Sequence, residues 1–152
     1  MLRSATLADL SVVASWMTTA RDCELWAGWR VRFPIDLESL PSSISFSEAT
    51  AFSLTDDCDR LIAFGQLLPK GRRAHLGRLI VAPAFRGKGH GEVLVQALIQ
   101  EARKQPFECL SLNVDRNNTP AILLYVKLGF HDAVRPRDEP DSPESRYMER
   151  ST

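Results

Sequence analysis

The stretch RGKGHG, residues 86 to 91, places three glycines, two cations and a histidine in six positions. It stands between the apolar run LGRLIVAP and the apolar-periodic run EVLVQALIQEA. Such residues at a strand-to-helix turn can hold a phosphate. The first amides of a helix lack intrahelical partners and carry partial positive charge. Gly87, Gly89 and Gly91 let the backbone turn tightly and come close to a ligand. Lys88 and Arg86 add positive charge, and an arginine can fork onto two oxygens. The two familiar nucleotide loops fail at one residue. G-x-x-x-x-G-K-[ST] and G-x-G-x-x-G both meet Glu92, where the first needs lysine after Gly91 and the second needs glycine. From the loop alone, a plain connection between a strand and a helix stays open.

The surrounding elements can be read from pattern. MLRSA predicts a short strand, and Thr6 with Asp9 has capping-box spacing ahead of the helical run LSVVASWM. Residues 21–45 are irregular and broken by Pro34 and Pro41, which predicts short helices and loops. AFSLT, RLIAFGQLLP and AHLGRLIVAP, separated by the polar turns DDCD and KGRR, predict an antiparallel meander. Apolar residues at 93, 94, 97 and 98 give one face of a helix from Gly89 to about Lys104. ECLSLNV alternates as a strand. Thr119 followed by Pro120 predicts a capped helix to about Leu128, closed by Gly129. FHDAVRP and SRYMER are the expected last strands, joined by the acidic, proline-containing RDEPDSPE.

Length and composition bound the function. A chain of 152 residues with 44% hydrophobic content predicts a single domain over 1–152 with one sizeable core. Nineteen basic and nineteen acidic residues cancel, so no overall field draws the chain to nucleic acid or an anionic membrane, and an anion site must be local. Cys23, Cys58 and Cys109 lack the spacing of a disulfide framework or a zinc site. No stretch approaches the roughly 20 apolar residues of a membrane span, and the amino terminus lacks an apolar leader. The expectation is a cytoplasmic protein without a metal.

VAPAFRGKGHG is similar to the acetyl-CoA motif of the GNAT superfamily of N-acetyltransferases, [RQ]-x-x-G-x-[GA] after a strand ending in V-x-P, with Arg86, Gly89 and Gly91 at the fixed positions. NVDRNNTPAILLYVKLGF resembles the family's N-x-x-A-x-x-L-Y-x-K-x-G-F, with Asn118, Ala121, Leu124, Tyr125, Lys127, Gly129 and Phe130 in register. The resemblance spans about Ala74 to Phe130 and is weakest over residues 20–50. It implies an α/β fold: a mixed, twisted, mostly antiparallel sheet with helices on both faces. It implies that residues 86–91, His90 included, hold the pyrophosphate of acetyl-CoA. The strand Leu79, Ile80, Val81 would pair its backbone with the pantetheine arm, and Asn118 would help bind the cofactor.

Acetyl transfer from a thioester to an amine needs an acceptor free of its proton, a polarised carbonyl and a proton for the departing thiolate. The resemblance gives Tyr125 the role of general acid; a phenol with an ordinary pKa of about 10 is protonated at neutrality. Tyr125 and Asn118 are seven residues apart, on one helical face. His75 stands where some family members carry a glutamate and, titrating near neutrality, could serve as base, with ordered water the alternative. On the acceptor side, Trp26, Trp29 and Phe33 could wall a pocket, and Asp22, Glu24 or Asp36 could attract an ammonium. The acceptor is a small amine or a protein amino group. A CoA-binding sensor without catalysis and an interaction domain docking through residues 26–33 are the competing readings. The family's habits allow a homodimer.

Overall fold

The computed structural model describes residues 1–152. β1 (Leu2–Ser4) leads into α1 (Leu7–Ser15), and both halves of the capping box form: the Asp9 N–H meets the Thr6 hydroxyl, and Asp9 accepts from the Thr6 N–H. Asp9 is also gripped by both terminal nitrogens of Arg3, at 2.7 and 3.0 Å, and by Ser53 at 2.8 Å. This fixes the helix to the first two strands. Residues 20–45 fold as short pieces: α2 (Ala20–Ala27), capped by Thr19, a 3-10 turn Gly28–Arg30 and α3 (Leu40–Ser43).

The meander follows as β2 (Thr50–Thr55), β3 (Leu61–Lys70) and β4 (Arg73–Val81). A short turn then leads to α4 (His90–Arg103), β5 (Cys109–Asp115), α5 (Thr119–Lys127), β6 (His131–Asp132) and β7 (Ser145–Ser151). The sheet order is β1-β2-β3-β4-β5-β7-β6, antiparallel except where β4 meets β5. The helices cover both faces. One core packs α4 and α5 residues such as Leu94, Leu98 and Ile122 against Leu67 and Leu112; the other packs Leu10, Trp26 and Leu40 from α1 to α3 against Phe64. This is the expected α/β mixed-sheet architecture.

Three details differ from the sequence expectation. The buried stripe of α4 is Leu94, Val95, Leu98, Ile99 and Ala102, and Val93 faces outward. Asn118, not Thr119, caps α5: its side-chain oxygen accepts from the Ala121 N–H at 3.4 Å, and Thr119 is already helical. β6 has two residues rather than the run FHDAVRP, because the chain leaves β7 after Ala133 donates to Tyr147 and then folds over the sheet.

Two features of β4 shape the site. β4 and β5 pair only over Arg73–Leu76 and Cys109–Leu112, so the strands splay beyond that point and leave Gly77–Val81 unpaired on one side. A bulge in the same stretch breaks the register with β3 between Phe64 and Gln66. Arg78 sits in it at φ 50°, a left-handed backbone that side-chain-bearing residues seldom adopt. Gly65 lies beneath: an added Cβ would come within 2.7 Å of the end of the Leu79 side chain and 3.0 Å of that of Leu98, so a larger residue there requires these leucines to shift.

Candidate active site

The splay opens into a cavity of about 680 Å³, walled by the bulged part of β4, the end of β5, α2 with its 3-10 turn, the start of α5 and the loop between β6 and β7. At one side of the splay lies the glycine loop. Gly87 and Gly89 hold φ values of 74° and 85°, which turns the chain sharply into α4. The N–H groups of residues 87–92 have no hydrogen-bond partner within the protein; the first helical amide to bond is Val93, to Gly89 at 3.2 Å. Arg86 is fixed by donating Nε to the Val81 carbonyl at 3.0 Å, and Lys88 and His90 both pack near the Phe85 ring. Glu92, the residue that breaks the nucleotide motifs, is neutralised by Lys127 at 2.8 Å. The loop therefore offers a run of free amides next to the unpaired edge of Leu79, Ile80 and Val81. That is a fit for a diphosphate followed by an amide-bearing arm.

Tyr125 reaches the cavity from α5, 9% exposed, its ring edge-on to Phe130 at 6.0 Å. Its hydroxyl has no hydrogen-bond partner in the protein, and burial pushes the phenol up to about 12. The group is thus protonated at any physiological pH. Asn118 also lines the cavity, with its side-chain oxygen spent on the helix cap.

His75 enters the same cavity from β4, at 9% exposure. Its Nδ1 lies 2.8 Å from the Ser111 hydroxyl and 3.6 Å from Glu139, and its Nε2 lies 3.4 Å from the Asn113 amide nitrogen. Arg135 donates to the Asn113 oxygen at 2.6 Å, so the Asn113 NH₂ must face His75. Nε2 is then the acceptor and Nδ1 carries the proton. The expectation that this histidine titrates near neutrality is corrected: burial, followed by the charges of Arg73, Lys70, Arg78 and Arg135, lowers it to about 3. It is held neutral, with both ring nitrogens engaged.

Of the residues expected on the acceptor side, Trp26, Trp29 and Glu24 line the cavity, whereas Phe33, Asp22 and Asp36 do not. Trp26 is 7% exposed and donates its indole N–H to the Arg78 carbonyl at 2.9 Å, pinning the bulge. Trp29 is 75% exposed at the rim, under Arg30. Asp22 instead accepts from the backbone and hydroxyl of Thr18 at the start of α2. Sequence reasoning missed Arg78 and the group of Ser111, Asn113, Arg135 and Glu139. The alternation of Ser111 and Asn113 along LSLNV was the only local sign, and the loop that brings Glu139 to Arg73 at 3.0 Å had none.

Comparison with known proteins places the chain in a family. The chain is 35% identical over 102 residues to mycothiol acetyltransferase of Renibacterium salmoninarum, covering 62% of this chain but 30% of that protein. It is 31% identical over 121 residues to the [ribosomal protein bS18]-alanine N-acetyltransferase of Salmonella typhimurium, covering 73% of this chain and 77% of the relative. Among solved structures it resembles the ribosomal-protein-S18-alanine N-acetyltransferase of Escherichia coli, with TM-score 0.73 and 25% identity over 99% of this chain and 92% of that one. The spermidine N-acetyltransferase of Vibrio cholerae, solved with CoA and spermine, shares the fold at TM-score 0.77 and 21% identity, over 99% and 94% of the two chains. The family model for acetyltransferases of the GNAT family matches residues 15–130, so the chain belongs to that family.

Proposed function

We propose that the chain moves the acetyl group of acetyl-CoA to a primary amine, with Tyr125 as the proton donor to the departing sulfur. The observation that carries this reading is the run of unbonded amides at residues 87–92 beside the unpaired edge of β4. These amides, with Arg86 and Lys88 around them, would hold the pyrophosphate, and Leu79, Ile80 and Val81 would align the arm that leads into the splay. Bound there, acetyl-CoA supplies an acyl group already activated as a thioester.

The phenol of Tyr125 hydrogen-bonds the sulfur and gives it a proton as the new C–N bond replaces the C–S bond. The proton lost by the ammonium leaves through water and restores the phenol. A phenol at about 12 is a weak acid towards a thiolate; an ordinary thiol titrates at about 8.5. Burial in the same cavity raises the thiol as well, which narrows the gap. His75, neutral and bonded on both sides, fixes Ser111, Asn113 and the β6–β7 loop and is a poor base, so water takes the acceptor's proton. The acceptor enters from the side of α2 and the β6–β7 loop. The bS18-alanine relatives make a protein amino terminus one candidate acceptor, and the mycothiol relative makes a small amine another.

The test is twofold. Native mass spectrometry should show acetyl-CoA bound, and free-thiol release should accompany acetylation of at least one amine or peptide from a broad panel. No binding at millimolar cofactor overturns the reading.

A further inference from the structure

Arg78 stands out on the acceptor side. The strained bulge of β4 presents its side chain to the cavity, between the 3-10 turn that carries Arg30 and the loop that carries Glu139. Its guanidinium is half-buried, yet it makes no hydrogen bond or ion pair within the protein. Burial, with Arg30 adding like charge and Glu139 offsetting part of it, lowers it to about 10, so it remains a cation at neutrality. Arg30 and Lys70 line the same cavity and also have no carboxylate partner.

The carboxylates that could have answered them are mostly committed. Glu139 is bound to Arg73 at 3.0 Å; Glu24 and Asp115 both pair with Arg21, at 3.4 and 3.1 Å. Asp141 and Glu144 remain, both exposed on the β6–β7 loop. A half-buried cation without a counter-charge is unfavourable unless something else answers it. A guanidinium fork matches a carboxylate in shape as well as in charge.

We propose that Arg78, flanked by Arg30, binds a carboxylate of the acceptor, so that the amine acetylated belongs to an amino acid or to a peptide with a carboxylate near its amino terminus. The proposal rests on the acetyltransferase reading above and narrows it. It also sets this chain apart from polyamine acceptors, whose ammonium groups would meet unpaired guanidinium charge here.

The experiment uses matched acceptors that differ only in that group: alanine and alaninamide, alanyl-glutamate and alanyl-glutamine, with spermidine as the polyamine. Thiol release is measured at saturating acetyl-CoA. The carboxamide of alanine has the more readily deprotonated amine, which works against the expected result. In the wild type, the carboxylate member of at least one pair should have a kcat/KM at least tenfold above its amide, and whichever pair does so identifies the free amino acid or the peptide as the source. Arg78→Gln should cut that preference below threefold through KM, Arg78→Lys should retain part of it, and Arg30→Gln, on an exposed turn, should reduce it without loss of fold. Calorimetric binding of acetyl-CoA should be unchanged in all three. Equal use of both members of every pair, preference for spermidine, or a preference untouched by Arg78→Gln overturns the proposal while leaving acetyl transfer intact. Failure of every amine to release thiol removes the transfer reading and this proposal with it.

Discussion

Replacing Tyr125 by phenylalanine removes one oxygen and little else. The hydroxyl has no partner in the protein, so its loss orphans no donor or acceptor, and the ring keeps its edge-on contact with Phe130. Stability should therefore hold, with Tm within about 2 °C of the wild type, since about 1 kcal/mol moves Tm by a few degrees in a domain of this size. The transition state loses a hydrogen bond to a sulfur that is gaining charge. Such bonds are worth about 1.5–3 kcal/mol. That converts to a fall in kcat of roughly 10- to 150-fold. Acetyl-CoA affinity, which the proposal assigns to residues 79–91, should change less than twofold. The readouts are thiol release at saturating cofactor, calorimetric binding of acetyl-CoA and a thermal melt. With the phenol raised to about 12, the wild type should also show no activity loss from Tyr125 ionisation up to pH 9. A kcat within twofold of wild type, with binding intact, would refute the role; a large drop in Tm would show that the hydroxyl serves the fold.

His75 and Gly91 supply two further tests. The folded pKa of His75, about 3, lies below its ordinary 6.5, so as pH falls the unfolded chain takes up the proton first. Stability should decline between pH 6.5 and 3 by up to about 1.4 kcal/mol per unit from this residue. From pH 7 to 5, urea unfolding should then show the wild type losing about 2 kcal/mol more than His75→Gln. The acidic limb of the pH-rate profile should be the same in both, and a limb abolished in the variant would restore His75 as the base. At Gly91 an added Cβ would meet Leu124 and Val81 at an ordinary 3.8 Å, so Gly91→Ala should keep or slightly raise Tm. If residues 87–92 hold the pyrophosphate as proposed, it should nevertheless raise KM for acetyl-CoA at least fivefold, by crowding the backbone amides of that turn. Gly89→Ala, forced to φ 85°, should instead lose about 1–2 kcal/mol of stability. Identical behaviour of the two variants would contradict the separate reasons given for the two glycines.

What the residues announce locally, the fold delivers. The Thr6 and Asp9 box, the glycine turn and the helix before β5 each depend on neighbours a few positions away, and each forms. Asn118 takes the cap from Thr119 because Asn118 precedes the first helical residue, a shift of one position that pattern does not resolve. The chemistry of His75 was not legible, since its depressed pKa comes from burial and from Arg135 and other cations brought in by the sheet and a distant loop. Arg78 was hidden for a similar reason. An arginine in LGRLIV reads as an ordinary strand residue until the register with β3 breaks around it.

The short parallel ladder between β4 and β5 has a mechanical consequence. The sheet divides into two leaves, β1 to β4 and β5 to β7, whose shared backbone ladder is four residue pairs, supplemented by side-chain bonds such as His75 to Ser111, Arg73 to Glu139 and Arg21 to Asp115. Beyond these pairs β4 and β5 share no ladder, so exchange along the free side of Gly77–Val81 should be faster than in β2 and β3. A ligand lodged in the splay touches both leaves and acts as a brace across it. At a hundredfold excess over its dissociation constant, binding to the folded state alone adds about 2.7 kcal/mol. In hydrogen exchange this should appear as slower exchange along the edge of β4 and the first turn of α4, with β2 and β3 little changed. The gap proposed to admit the substrate would thus also be the joint that the substrate stiffens.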